Sequence, residues 1–196
     1  TNQDEAFLYG FFYLFMQIIP FKWESYQSSQ VEQLKSDIIR CCAINFPKLL
    51  LSHQFTTIAS WVFKLSNGNW PEIISYIFFE SNNTDNAGFL LSKIIRYMDD
   101  KTLHENKKRI YDRLFQLIPA VSVPVKLRLL RTFCDIQGFQ MTAAFWSLFW
   151  STSIECIKED KSNEFIIWHI LSHFEKNLGE KEKIEPPLIQ DDNDYL

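Results

Sequence analysis

The tightest constraint on how this chain can fold is a corner, Ser66-Asn67-Gly68-Asn69-Trp70-Pro71-Glu72, set between two apolar stripes of helical period. Before it, Phe55, Ile58, Ala59, Val62 and Phe63 stand at i, i+3, i+4, i+7 and i+8, one face of an α-helix. After it, Ile73, Ile74, Ile77 and Phe78 repeat the stripe. Gly68 suits the left-handed conformation that ends a helix, and Asn69 suits the N-cap of the next. Pro71 then falls in the first helical turn, where a missing N–H costs nothing, and Glu72 has the spacing of a capping box. Residues His53 to Ser81 therefore predict a helical hairpin.

The same grammar extends in both directions. A helix over about Gln3 to Ile19 is expected to stop at Pro20, and Ser28 or Ser29 caps a second with Val31, Leu34, Ile38 and Cys41/Cys42 inward. In that helix Glu32, Lys35, Asp37 and Arg40 are expected to face water, and Pro47 lies in the turn that follows. Past the loop Asn82-Asn83-Thr84-Asp85, Ala87, Leu91, Ile94, Ile95 and Met98 mark another helix. Thr102 to Glu105 reads as a capping box opening the next, Ser122 and Pro124 open a further one, and Gly138 ends it. Gln140 to Lys158 and Lys161 to Leu178 are two more, the second closed by Gly179; Pro186-Pro187 then breaks the pattern. First helices of successive hairpins thus begin near residues 28, 70, 102 and 139, intervals of about 32 to 42 residues that suit two-helix repeats of the HEAT type. No strand pattern interrupts them. The expected fold is all-α, a right-handed α-solenoid of about four to five hairpins over residues 1–185, with residues 186–196 an acidic loop or the start of a further repeat.

Composition agrees. Hydrophobic residues make up 46% and aromatics 16% of the 196 residues, which excludes disorder, and five Gly suit long helices. A net charge of −4 argues against nucleic acid as the direct partner. The four cysteines, Cys41, Cys42, Cys134 and Cys156, form no CxxC and fall near apolar helical faces, as reduced core residues of an intracellular protein would. Ala6 to Phe21 is apolar but shorter than the ~18–20 residues of a membrane span, and it contains Gly10 and Gln17. No membrane partner is expected.

Little in the chain points to catalysis. His169 and His173 stand at i and i+4, a spacing able to hold zinc, yet the residues between them are Ile-Leu-Ser and no third ligand is marked. Neither a Gly-rich phosphate loop nor a Ser or Cys nucleophile motif occurs. No enzyme, cofactor or metal is expected. Two basic clusters, Lys107-Lys108-Arg109 and Lys126/Arg128/Arg131, read most plainly as solvated faces. The aromatic run from Phe139 to Trp150 reads as core packing, and the sequon Asn82-Asn83-Thr84 as a chance match.

The order of landmarks carries a resemblance. An apolar helix leads to a lone Trp in Ile18-Ile19-Pro20-Phe21-Lys22-Trp23. It is followed by the helix Leu34-Lys35-Ser36-Asp37-Ile38-Ile39, by Ile58-Ala59, and by the corner Trp70-Pro71-Glu72-Ile73-Ile74. Over roughly residues 8 to 98 this resembles the amino-terminal HEAT repeats of the importin-β (karyopherin) family, on its importin-4 and importin-5 side. Receptors of that family are several times longer, so the resemblance implies an amino-terminal piece of one. It implies a nuclear transport receptor that carries protein cargo, shuttles between cytoplasm and nucleus, and binds Phe-Gly nucleoporins. Its amino-terminal second helices would bind Ran-GTP, which controls cargo binding and release. An acidic balance would suit basic cargo. By position on those second helices, Thr57, Lys64, Lys93 and Arg96 are the implied Ran-binding residues, and Trp23, Trp70, Pro71 and Glu72 are structural landmarks of the likeness. The alternative is an α-solenoid scaffold or adaptor without Ran control.

Overall fold

The computed structural model of the chain describes residues 2–44, 46, 48–80, 84–136 and 141–178. Pro47, Asn82-Asn83 of the sequon, the helix stops at Gly138 and Gly179, Pro186-Pro187 and the segment 186–196 lie outside the described residues. All regular structure among the described residues is helical. The chain divides into two compact units, Thr1–Ile136 and Gln137–Leu196.

The first unit holds α1 (Asn2–Lys22), α2 (Ser28–Cys42), α3 (Leu49–Leu65), α4 (Pro71–Ser75), α5 (Thr84–Ile94), α6 (Asp100–Leu117) and α7 (Val123–Thr132). Alternate helices pack in a row, α1 against α3, α3 against α5 and α5 against α7. In addition, α2 lies on α3, while α6 touches α5 and the π turn Tyr76–Glu80 that continues α4. Helix α5 is the centre of this arrangement. Asn86 to Ser92 and Ile94 are all buried, as expected of a helix covered on every side. Leu51, Ala59, Val62, Leu90, Ile94 and Leu129 are fully enclosed. Each buried Leu, Ile or Val side chain among them stabilises the fold by about 1.5–3 kcal/mol.

One position sets how closely α5 approaches α7. A Cβ on Gly88 would stand 2.6 Å from Val125 Cγ1 and 3.4 Å from Leu129 Cδ1, so the bare backbone is what the neighbouring helix packs on. The orphan carbonyls at the end of α2 are also met from a distance, because a helix cannot satisfy its own last C=O groups. Tyr76 Oη donates to Cys42 O at 2.8 Å, and Asn86 Nδ2 donates to Cys42 O at 2.9 Å and to Ile44 O at 3.1 Å. The π turn is braced likewise by Arg113 Nε, which donates to Ile77 O at 2.8 Å.

Several sequence expectations are corrected at helix ends. Asn67 and Gly68 both take positive φ, 52° and 74°, and Gly68 N donates to Phe63 O, so the left-handed exit from α3 is made by two residues. Asn69 is not the cap of α4. Trp70 holds that place with no side-chain cap bond, Pro71 follows at the first helical position, and exposed Glu72 completes no capping box. Helix α6 is capped by Asp99, whose Oδ1 accepts from Thr102 N at 2.8 Å, so Thr102 lies inside the helix rather than at its cap. Gln27, paired reciprocally with Gln30, caps α2 in place of a serine. Pro20 does not end α1, which continues to Lys22. The described side chains of α1 bury one stripe: Phe12 packs on Phe55 at 5.9 Å, while Phe7, Tyr13, Leu14 and Phe21 are exposed.

The second unit contains α8 (Ala143–Glu159) and α9 (Asn163–Leu178), packed on each other. Thr142 Oγ1 caps α8 by accepting from Phe145 N, and Asn163 Nδ2 donates to Cys156 O at its far end. Phe174 of α9 meets Phe145 edge-on at 5.2 Å and Phe149 at 5.8 Å. The aromatic run of α8 is therefore core packing.

Candidate functional site

The densest cluster of chemistry lies where α3, α5 and α7 follow one another. On α3 the hydroxyls of Thr56 and Thr57 donate back to their own helix, to Ser52 O at 2.8 Å and His53 O at 2.7 Å. Their remaining lone pairs are then free to accept. Lys93 of α5 fills them, its Nζ donating to Thr56 Oγ1 at 2.9 Å, to Thr57 Oγ1 at 2.7 Å and to His53 O at 2.6 Å. All three acceptors are neutral, so they bind the Lys93 amine without supplying a counter-charge.

The ring of Phe89, one turn before Lys93, is the floor of the cluster. Lys93 Nζ is 5.5 Å from its centroid, the Arg128 guanidinium of α7 is 5.5 Å from it, and the His53 ring meets it edge-on at 5.3 Å. Burial and the charge of Arg128 lower Lys93 to about 6. Burial, Lys93 and Arg128 together lower His53 to about 4. Arg128 is itself lowered, by burial and by Arg96 and Arg131. Cations here act on one another because they share a partly dry space.

Further along the same helices the environment is wetter. Lys64 Nζ lies 5.8 Å over Trp61 and 5.2 Å over Tyr97. Arg96 Nε donates to Asp135 Oδ2 at 2.9 Å. The four residues singled out by position are thus neighbours in pairs: Thr57 is bonded to Lys93, and Lys64 stands on the ring next to Arg96. Their roles differ. Thr57 and Lys93 are tied into an internal network, whereas Lys64 and Arg96 are exposed.

The landmark tryptophans have separate surroundings. Trp70 is buried, at 1% exposure. Trp23 is half-buried, edge-on to Tyr26 at 6.3 Å, and lines an open cleft of about 340 Å³ with Glu24, Tyr26, Glu32 and Lys35. Lys35, expected to face water, is buried, and its Nζ donates to Asn69 O at 2.8 Å and to Glu32 Oε1 at 3.0 Å. It pins the corner to α2. In the second unit His169 Nε2 and His173 Nε2 stand 3.2 Å apart. Among the described residues no three His, Cys, Asp or Glu side chains come together as a metal site would require. No helix among the described residues is long and apolar enough to cross a membrane.

Sequence reasoning missed His53, Thr56, Phe89 and Asp135 as members of the α3–α5–α7 cluster. A signal was present in two i, i+4 pairs, His53/Thr57 and Phe89/Lys93, polar or cationic residues inside otherwise apolar helices. Comparison of the chain with protein-family models, with curated proteins and with solved structures finds no match.

Proposed function

We propose that this chain is a protein-binding α-solenoid of HEAT-type hairpins, the amino-terminal part of a nuclear transport receptor of the importin-β kind. On this reading Ran in its GTP form engages the row of second helices, and its binding is linked to cargo through differential affinity for two states of the receptor. Cargo and Phe-Gly nucleoporins are the other partners, and the receptor shuttles between cytoplasm and nucleus. One observation carries the reading. Helices α1, α3, α5 and α7, alternate in sequence, pack one on the next. Such a row places groups from different hairpins side by side, as Thr57 beside Lys93 and Lys64 beside Tyr97. That arrangement suits recognition of a broad partner surface.

The test is binding of the chain to Ran loaded with a non-hydrolysable GTP analogue, against Ran-GDP. Binding confined to the GTP form is the expected result. Equal or absent binding by a folded, helical chain would leave the scaffold reading in possession. The internal commitment of Lys93 and Thr57 favours that second reading, since groups spent on the fold contribute less to a partner.

A further inference from the structure

The basic cluster of α7 contains a cation without a counter-ion. The Arg128 guanidinium is half-buried over Phe89, and among the described residues it has neither a hydrogen-bond acceptor nor an ion pair. A guanidinium offers a planar fork of donors, and leaving it unfilled beside other cations is costly. The surroundings make matters worse rather than better. Lys93 and His53 share the same ring, Arg96 and Arg131 add to the field at Arg128, and Asp135 is already held by Arg96 at 2.9 Å.

We propose that Arg128, with Lys93 and His53 around the Phe89 ring, receives a carboxylate from an acidic segment of a partner protein. The inference goes beyond the receptor reading and does not depend on it. Charge complementarity selects the occupant. The chain as a whole carries −4, yet it gathers Arg128 and Arg131 of α7 and Arg96 of the turn after α5, next to Lys93, with Asp135 paired to Arg96. A net-acidic protein that concentrates uncompensated positive charge in one place presents a local seat for an anion. The shape of the charge then decides between anions. Nucleic acid is held by extended runs of solvent-facing Lys and Arg that neutralise successive phosphates. Here the half-buried cation, Arg128, stands 5.5 Å from the centroid of an aromatic ring, and its planar fork of donors suits one bidentate carboxylate. Lys93 keeps its three neutral acceptors, and an incoming carboxylate favours its protonated form.

The test uses the full chain and three probes: a fluorescent ten-residue Glu/Asp peptide, its Gln/Asn counterpart, and a single-stranded oligonucleotide of equal charge. Saturable binding of the acidic peptide alone is expected. Arg128→Gln should weaken it by about tenfold or more, the value of a charged hydrogen-bonded pair, whereas Lys158→Gln on α8 should leave it unchanged. The unfolding temperature of Arg128→Gln should hold or rise, because the variant removes a half-buried cation from the field of Arg96 and Arg131. A second measurement covers a variant that fails to fold: in the unaltered chain, the acidic peptide should move the NMR resonances of His53 and leave those of His104 on α6 in place. Equal binding of the Gln/Asn peptide, peptide binding indifferent to Arg128→Gln, unmoved His53 resonances, or tighter capture of the oligonucleotide would each overturn the proposal. Peptide binding without Ran-GTP binding would sink only the receptor reading, and the reverse result only this one.

Discussion

Lys93 Nζ and Thr57 Oγ1 lie 2.7 Å apart although their residues are separated by 36 positions in the chain. The bond joins α3 to α5, and among the described residues no acid pairs with the Lys93 amine. Burial, with Arg128 second, lowers Lys93 from 10.5 to about 6. Between about 6 and 10.5 the unfolded chain holds this proton and the folded chain does not, so stability rises with pH across that window. Below about 6 both states are protonated and the contribution is flat. Lys93→Met should therefore flatten the dependence of unfolding temperature on pH between pH ~6 and ~8, as read by circular dichroism. An unaltered slope in the variant would mean that another group governs it.

His53 titrates in a lower window. Its imidazole falls from 6.5 to about 4 through burial and the charges of Lys93 and Arg128. The unfolded chain binds the proton first on acidification, so stability falls as pH drops from about 6.5 to about 4. His53→Gln should remove this component while sparing the slope above pH ~7. Urea titrations at pH ~4.5 and ~6.5 would separate the two; equal losses in the variant and the parent chain would count against it.

Gly88→Ala sets two magnitudes against each other. Alanine gains about 0.8–1 kcal/mol of helix propensity over glycine. Its Cβ would meet Val125 Cγ1 at 2.6 Å, and a stiff β-branched neighbour does not swing aside as a long side chain does. Overpacking of this kind costs about 1–3 kcal/mol. The clash wins, and a net loss of about 1 kcal/mol is expected in equilibrium unfolding. Adding Val125→Ala should recover part of that loss, a non-additivity expected of side chains in contact. Strict additivity would mean that the helices do not meet here.

Asn86 closes the end of α2. Asn86→Leu leaves Ile44 O without its 3.1 Å donor, while Cys42 O keeps Tyr76 Oη. The expected cost is about 0.5–1.5 kcal/mol, the net value of a part-buried hydrogen bond. Asn86→Asp should be the harsher change, since a carboxylate would face the same carbonyl oxygens without a donor. Unfolding curves that rank the two variants the other way would argue against this cap.

How much of this was legible in the sequence divides by distance along the chain. Apolar period and Pro/Gly punctuation placed the first helices near 28, 70, 102 and 139, and α2, α4, α6 and α8 begin at Ser28, Pro71, Asp100 and Ala143. Those signals act over one or two turns and are carried by the residues themselves. Caps were less legible because neighbours compete for them. Asp99 takes Thr102 N, and Pro20 only removes a bond near a helix end that has two more residues to run. Lys35 reads as a solvated lysine until the corner is folded over it, when Asn69 O becomes its acceptor. The state of Arg128 is a property of three helices at once. No spacing within α7 reveals that Phe89 lies under it or that Asp135 is spent on Arg96.

Lys64 and Arg96 are the two family-suggested residues whose charges reach solvent, and they carry the sharpest test of the receptor reading. Both lie on wet surroundings, Lys64 over Tyr97 and Arg96 paired with Asp135, so neither is needed to hold the core. Exposed charges at the rim of an interface act mainly on the association rate and do so less at high salt. Lys64→Ala and Arg96→Ala should each slow association with Ran-GTP by about two- to fivefold at low salt, with unchanged unfolding temperatures. Thr57→Val should behave in the opposite way. It removes an acceptor from Lys93 and should lower the unfolding temperature, with any effect on Ran following from lost fold. Asp135→Asn should release Arg96 and speed association. If Thr57→Val abolished Ran binding at an unchanged unfolding temperature while Lys64→Ala and Arg96→Ala did nothing, the contact surface would lie at the internal network, and the division of roles drawn from exposure would be wrong.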